Sequence, residues 1–305
     1  MLKFILKRLV YTVFVLIGVS IIAFFLLRLA GSPARLLLPE DATDEMVAEM
    51  EEYLGLHRPL PVQYFSYISG VVRGDLGTSL FYKKPNTELI FARLPATGQL
   101  TLAATVFALI ISIPLGIIAG VKKGSGIDFG AMVFALLGQS FSQVWLGLLF
   151  ILFFAVYLGW LPAMGYGKFS NLVMPAAALG MQMAALITRM LRSGMDDVLQ
   201  EDYITATYAK GISNTEIVMK YALRNAMMPV ITVIGIQVGI FLGGAMVIEQ
   251  IFGWPGIGSL AIQAIGLRDF SLVQSILLVI SAIFVLINLL VDIIYTLVDP
   301  RLKFN

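Results

Sequence analysis

A polytopic bundle of transmembrane α-helices is the fold class this sequence predicts, and four observations predict it. Hydrophobic residues fill 59% of the 305 positions and charged residues 13%, where a soluble domain carries about a quarter charged. Mean hydropathy is +0.90. Apolar blocks of at least roughly 18 residues recur along the chain, each long enough to cross a hydrocarbon core as a helix that satisfies its own backbone. Basic residues gather in the short segments between alternate blocks. With no cysteine, disulfides and thiolate chemistry are excluded, and the single histidine, His57, sits in a polar loop and reads as a surface residue.

The first block follows Lys3, Lys7 and Arg8 and runs from Leu9 to about Ala30. That is longer than the 7–15 residues of a cleaved signal, so it reads as a retained span with Arg28 snorkelling near its far end. Residues 31–97 change character, with nine acids against six bases. Thr43, Asp44 and Glu45 predict a short helix to about Leu54. The Gly- and Pro-punctuated stretches after it are irregular, and Tyr64, Phe65, Tyr67 and Ile68 need a surface to pack on. The second span covers about Leu100–Val121 and ends at Lys122 and Lys123.

The third block, Ala131 to Trp160, is too long for one upright helix and too short for two. Taken as one tilted or interrupted span it gives six crossings, with twelve basic residues from Lys3 to Lys303 on one side and only Lys168 and Arg268 in the short loops opposite. Two spans would reverse that bias, so six are expected, with both termini on the cytoplasmic side. The remaining spans are about Leu172–Met190, Val230–Ile251 and Leu272–Val298. Before the last, Trp254, Pro255, Gly256 and Gly258 predict a partly buried non-helical elbow. Trp145, Trp160 and Trp254 are candidate interfacial anchors, although Trp145 lies deep in its block.

Residues 191–228 form a polar loop between spans four and five, with signals for two short helices. Ser193 with Asp196 and Ser213 with Glu216 have capping-box spacing, Lys210 and Gly211 close the first helix, and Pro229 opens the next apolar block. A solvated helical loop would satisfy this much. The residues themselves carry more. Glu201, Asp202, Tyr203, Thr205, Ala206, Ala209, Lys210, Gly211, Ile212 and Ser213, with Ala222, Leu223, Arg224, Asn225, Ala226 and Pro229 after them, resemble the EAA loop of the permease subunits of bacterial ABC importers of the dipeptide/oligopeptide/nickel type. Thr205-Ala206-Thr207 stands where the eponymous Glu-Ala-Ala would be. The resemblance extends over nearly the whole chain, including the insertion at 31–97, taken as extracytoplasmic, and Glu249–Leu260. It implies a bacterial inner-membrane protein whose loop is the coupling helix, with Glu201, Asp202, Tyr203, Thr205, Ala206, Lys210 and Gly211 presented to an ATPase. It further implies a second homologous permease, two ATP-binding-cassette ATPases that hold the ATP and Mg, and an extracytoplasmic substrate-binding protein, with no cofactor in this chain.

Polar and small residues inside the spans complete the picture. Gly116 and Gly120, and Gly235, Gly239 and Gly243, form stripes that fit either packing within the chain or contact with a second permease. Gln139 and Gln143, spaced i,i+4 on one face of a continuous helix, with Ser140 between them, either bond neighbouring helices or line a hydrated path; Gln182 and Gln237 are candidates of the same kind. Asn288 and Asp292 share a face, and a structural pairing of Asp292 with a basic residue such as Arg301 is expected. No Walker A string, HExxH or GxSxG occurs, and no basic, aromatic soluble face suggests nucleic acid. The expected function is import of di- or oligopeptides, with nickel chelates or glycosides as alternatives inside the class. An intramembrane lipid-handling enzyme and a passive channel are alternatives outside it.

Overall fold

The computed structural model describes residues 2–29, 38, 42–53, 55, 57–243 and 245–298, without the side chains of 2–9, 26–29, 53, 292 and 294–298. The expectations for Arg28, for Asp292 with Arg301, and for the charged groups near both termini lie outside the described residues. Among the described residues there are twelve helices, in this order: α1 (Leu2–Leu29), α2 (Asp44–Tyr53), α3 (Leu60–Val72), α4 (Asn86–Val121), α5 (Gly126–Ser140), α6 (Gln143–Phe150, continuing in π geometry through Ile151–Tyr157), α7 (Phe169–Leu199), α8 (Asp202–Ala209), α9 (Asn214–Leu242, π over Ile217–Ala222), α10 (Met246–Ile251), α11 (Ile257–Gly266) and α12 (Phe270–Val298). The same residues hold no strand, only one bridge between Thr78 and Pro85. Four helices (α4, α7, α9 and α12) are long and apolar enough to cross a membrane, and α5 with α6 makes a fifth such unit bent by 101°.

The core is the pair α4 and α7, which run in the same direction. α4 buries Thr97, Leu100, Thr101, Ala104, Ala108, Ser112, Gly116, Ala119 and Gly120, a stripe of mostly small residues at helical spacing. Lipid offers no hydrophobic drive to join helices, so close approach through small side chains supplies the attraction. A Cβ on Gly116 would fall 2.9 Å from Leu191 Cβ, one on Gly120 2.5 Å from Met195 Cβ, and one on Gly180 2.5 Å from the carbonyl oxygen of Ala104. The second stripe also packs inside the chain: Gly239 lies against Phe284, Gly235 against Val291 and Gly243 near Ile280, all on α12. Both stripes pack within the chain.

Four span boundaries move, one of them at the far end of the expected fifth span, where α9 stops at Leu242 and Met246–Ile251 is the separate helix α10. α4 begins at Asn86 rather than Leu100 because Asn86 is anchored, its Nδ2 donating to Leu76 O, Ser271 Oγ and Ser275 Oγ at 2.9–3.0 Å. α7 does not stop near Met190. It continues to Leu199, so Ser193 sits inside a helix and caps nothing, because Leu191 and Met195 must stay in register on the glycines of α4. α9 is capped by Ser213, whose hydroxyl accepts from Glu216 N at 3.4 Å, and runs through Pro229 without a break, so Pro229 does not open a new helix.

At the N-terminal end of α4 the segment before it is pinned to α12. Asp269 caps Leu272 N at 3.1 Å, accepts from Phe81 N at 3.3 Å, and takes the Ser79 hydroxyl. The stretch expected to be irregular folds as α3 from Leu60, and two of its aromatics find a surface: Tyr64 Oη meets Ser20 Oγ at 2.8 Å and stacks edge-on against Phe24, 5.3 Å between centroids, and Tyr67 also lies against Phe24, whereas Phe65 stays exposed.

The elbow before α12 is built on one carboxylate. Glu249, fully buried, receives Thr97 Oγ1 at 2.7 Å on Oε1 and Ser259 N at 2.8 Å on Oε2, while Ile257 N donates to the same Thr97 hydroxyl at 2.8 Å. The Thr97 hydroxyl and the carboxylate together cap α11, accepting from Ile257 N and Ser259 N of its first turn. Gly256 and Gly258 are glycines because a Cβ on either would strike that carboxylate. Trp254 is buried, its indole N–H on Ala96 O at 2.8 Å, so it is a core residue and no interfacial anchor; Trp160 is 70% exposed.

This packing makes two substitutions informative. Gly180→Ala will destabilise the purified chain by about 1–3 kcal/mol through overpacking, whereas Gly98→Ala, which meets nothing within 4 Å, will not; thermal unfolding in detergent reads both. Thr97→Val keeps the volume but strands Glu249 and Ile257 N, and will cost about 1–3 kcal/mol, while Thr97→Ser will recover most of it.

Candidate functional site

α7 hands the chain to α8 through Gln200 and Glu201 alone. Glu201 is the N-cap of α8 in extended conformation (φ −71°, ψ 145°), without a side-chain capping bond, and Lys210 is its C-cap. Gly211 then takes φ +77°, the left-handed residue that ends a helix, with open space around its Cα. The helix is two-faced. Ile204 and Thr207 are buried, and Thr207 Oγ1 bonds Tyr203 O at 2.6 Å. Asp202, Thr205, Ala206 and Ala209, at i, i+3, i+4 and i+7, are exposed along one stripe, with Glu201, Tyr203 and Lys210 also exposed.

Two aromatic struts hold α8 to α9. Asn225 Nδ2 donates to Tyr203 Oη at 2.6 Å, and Tyr208 Oη donates to Asn214 Oδ1 at 2.8 Å. Ile217, Val218 and Ala222 then bury the first turns of α9 in the main core. The result is a short helix with one exposed stripe of mostly small residues, hydrogen-bonded to α9 near both of its ends. The structure therefore brings all seven loop residues singled out in the sequence onto α8, its two caps and the glycine that ends it.

The intramembrane candidates part company. α5 ends at Ser140, Phe141 is extended (φ −81°, ψ 132°), and Ser142 caps α6 by accepting from Val144 N at 3.3 Å. Gln139 and Gln143 thus lie on different helices and share no face. Gln143 Nε2 donates to Gln182 Oε1 at 3.0 Å, and Gln182 Nε2 donates to the carbonyl of Phe141 at 2.9 Å. These two amides bond neighbouring helices and occupy the carbonyl that the break leaves without a helical partner. Ser140 Oγ turns back on Leu136 O at 2.7 Å. Gln139 Nε2 is buried without a hydrogen-bond partner, and Gln237 is half-buried on α9.

Sequence reasoning missed the ion pairs beside the loop. Arg192 on α7 grips Asp128 at the start of α5 with two 2.8 Å bonds, and Lys123 pairs with Asp196 at 2.7 Å. In the sequence Lys123, Arg192 and Asp196 are legible only as sidedness or capping signals, because each partner belongs to a different span. Glu249 escaped notice too, although an acid beside a Trp-Pro-Gly turn within an apolar block is a signal that it must be paired.

Comparison with known proteins places this architecture. Residues 1–103 match the N-terminal model of binding-protein-dependent transport system membrane components, and residues 112–304 match the binding-protein-dependent transport system inner membrane component itself. The dipeptide transport system permease protein DppB of Alkalihalophilus pseudofirmus is 42% identical over 333 aligned positions, covering both chains completely. The glutathione transport system permease protein GsiC is 39% identical over 306 positions, again over all of both chains, in Salmonella choleraesuis and Escherichia coli strain K12. Among solved structures, an inward-facing MetNI methionine ABC transporter superposes with a TM-score of 0.58 at 20% identity, over 69% of this chain and 96% of that one, and shares its fold. With a bent, small-residue helical bundle and matches end to end, the chain belongs to the family of binding-protein-dependent transport system inner membrane components, as a permease subunit of an ABC importer.

Proposed function

We propose that this permease forms half of a translocation path for di- or oligopeptides and is driven through α8. The observation that carries the reading is the geometry of α8: an eight-residue helix rigidly braced from behind by Ile204, Thr207 and the Tyr203–Asn225 bond, with a smooth outer stripe of Asp202, Thr205, Ala206 and Ala209. Small side chains allow a partner groove to approach the helix backbone closely, and bracing lets a displacement pass into α7 and α9 without loss. An ATPase with its own phosphate-binding loop is the partner such a helix suits. Two of them would grip two permeases, and ATP and Mg would be held there. A substrate-binding protein would deliver the solute from outside.

The cytoplasmic side is then that of α8, of residues 191–228 and of both termini. The insertion at 31–97 faces out. Peptide is the substrate class favoured by the relatives named for dipeptide and glutathione transport. Nickel chelates and glycosides remain the alternatives to be excluded by competition. We place the path along the break of the third span, with Gln139 as its polar group and Gln143 and Gln182 holding the break open. Because both glycine stripes pack within the chain, the second permease meets a different face.

Replacing Gly211 by Val puts a β-branched residue at φ +77°, a strain of about 1–2 kcal/mol or more at the helix end that the ATPase would press. Gly211→Val is expected to lower ATPase co-purification and labelled-dipeptide uptake in proteoliposomes together. Uptake equal to the parent chain would contradict the reading. Uptake competed by a glycoside or a nickel chelate but not by peptides would replace the substrate class.

A further inference from the structure

α5 is tied to α7 at both of its ends. At the far end, Gly138 lies against α7 so closely that a Cβ there would fall 2.7 Å from Ala185 Cβ. Beside it, Gln182 bonds Phe141 and Gln143 across the break. At the near end, Arg192 Nε meets Asp128 Oδ1 and Nη2 meets Oδ2, both at 2.8 Å, with the carboxylate side chain 8% exposed and the guanidinium side chain 22% exposed. The same carboxylate accepts from Gly124 N at 2.9 Å, which fixes the turn between α4 and α5. One turn along α7, Asp196 takes Lys123 at 2.7 Å and Gln200 Nε2 at 2.8 Å, and only Glu201 separates Gln200 from α8.

A single hydrogen bond lets two helices swivel about it. A two-pronged Arg–carboxylate pair fixes both distance and orientation, and partial burial protects it from screening. With the near end locked this way and the far end held by Gln182, α5 is a strut laid alongside α7. It runs from the level of Arg192, on the last turns of α7 before α8, to the break at Phe141–Ser142. Without the near lock, movement of α7 would be absorbed by the turn at residues 122–125.

We propose that Asp128 and Arg192 are positioning residues of the transport cycle, clamping α5 to α7 so that displacement of α8 is delivered to the break in the third span. This rests on the reading of α8 as the element that receives the ATPase stroke. Arg192→Ala would confound the matter, because it leaves a buried carboxylate without its partner. Arg192→Lys keeps the charge and loses one prong. Asp128→Asn combined with Arg192→Gln keeps a neutral hydrogen-bonding pair and leaves no unpaired charge.

The test is ATP hydrolysed per labelled dipeptide imported, measured on the complete importer with its binding protein in proteoliposomes. Both variants are expected to retain co-purified ATPase and binding-protein-stimulated hydrolysis close to the parent complex. Import should fall about fivefold or more, within the range of ordinary coupling energies, so the ratio rises. An unchanged ratio in both variants, whether hydrolysis and import fall together or stay as in the parent, overturns the strut. Gly211→Val measured in parallel separates the two ideas. Loss of ATPase there with an unchanged ratio in both pair variants overturns the strut alone. Parental behaviour of Gly211→Val overturns the reading of α8 and the strut with it.

Discussion

The backbone-to-backbone approach of α4 and α7 is the constraint on which the rest of the structure depends. At Gly180, α7 meets the carbonyl of Ala104 backbone to backbone, and at Gly116 and Gly120 the missing side chains let Leu191 and Met195 seat directly on α4. In lipid such contact is a main source of helix association. It also dictates register. Because Leu191 and Met195 stay on those glycines, α7 continues as a helix to Leu199, its last turns still packed on α4 and on Ala226 of α9, and leads directly into α8.

A second constraint operates at the opposite end of α4. Glu249 is a buried carboxylate whose oxygens are filled by Thr97 and by the first turn of α11, and Gly256 and Gly258 leave room for it. A buried acid is tolerated when every lone pair facing the protein has a donor. That arrangement fixes the non-helical elbow, and through it the start of α12. The two constraints make α4 the reference rod of the molecule: α7 is set against its small-residue face, and the elbow against its Thr97.

Much of this is legible in the sequence because it rests on local rules. The Ser213–Glu216 cap, the Gly211 terminus, the helix from Asp44 and the interrupted third block all derive from capping chemistry, glycine conformation and block length, and all are found. The Tyr64 and Tyr67 aromatics require a partner, and Phe24 supplies one. Two failures are of boundaries, since Leu60–Val72 is helical despite its prolines and the fifth block breaks after Leu242; most of the others share one cause. At Ser193, Gln139 with Gln143, Pro229 and Trp254 the neighbours in sequence suggest one role, and contacts distant along the chain impose another. Ser193 stays helical because of α4. Gln143 turns to Gln182, which in turn supplies the donor that Phe141 needs. Trp254 is buried because Ala96 offers a carbonyl. Asp128 and Arg192 could not be paired from the sequence, since nothing in local spacing joins residues on separate spans.

The central claim is that α8 is a braced, cytosolic docking helix. The chain contains no cysteine, so a single Thr205→Cys on its exposed stripe gives an unambiguous label site. A membrane-impermeant maleimide added to inside-out vesicles should modify that cysteine, added to intact cells should not, and should be blocked when the ATPase is bound. Labelling from the outside of intact cells, or labelling indifferent to the ATPase, would contradict the account.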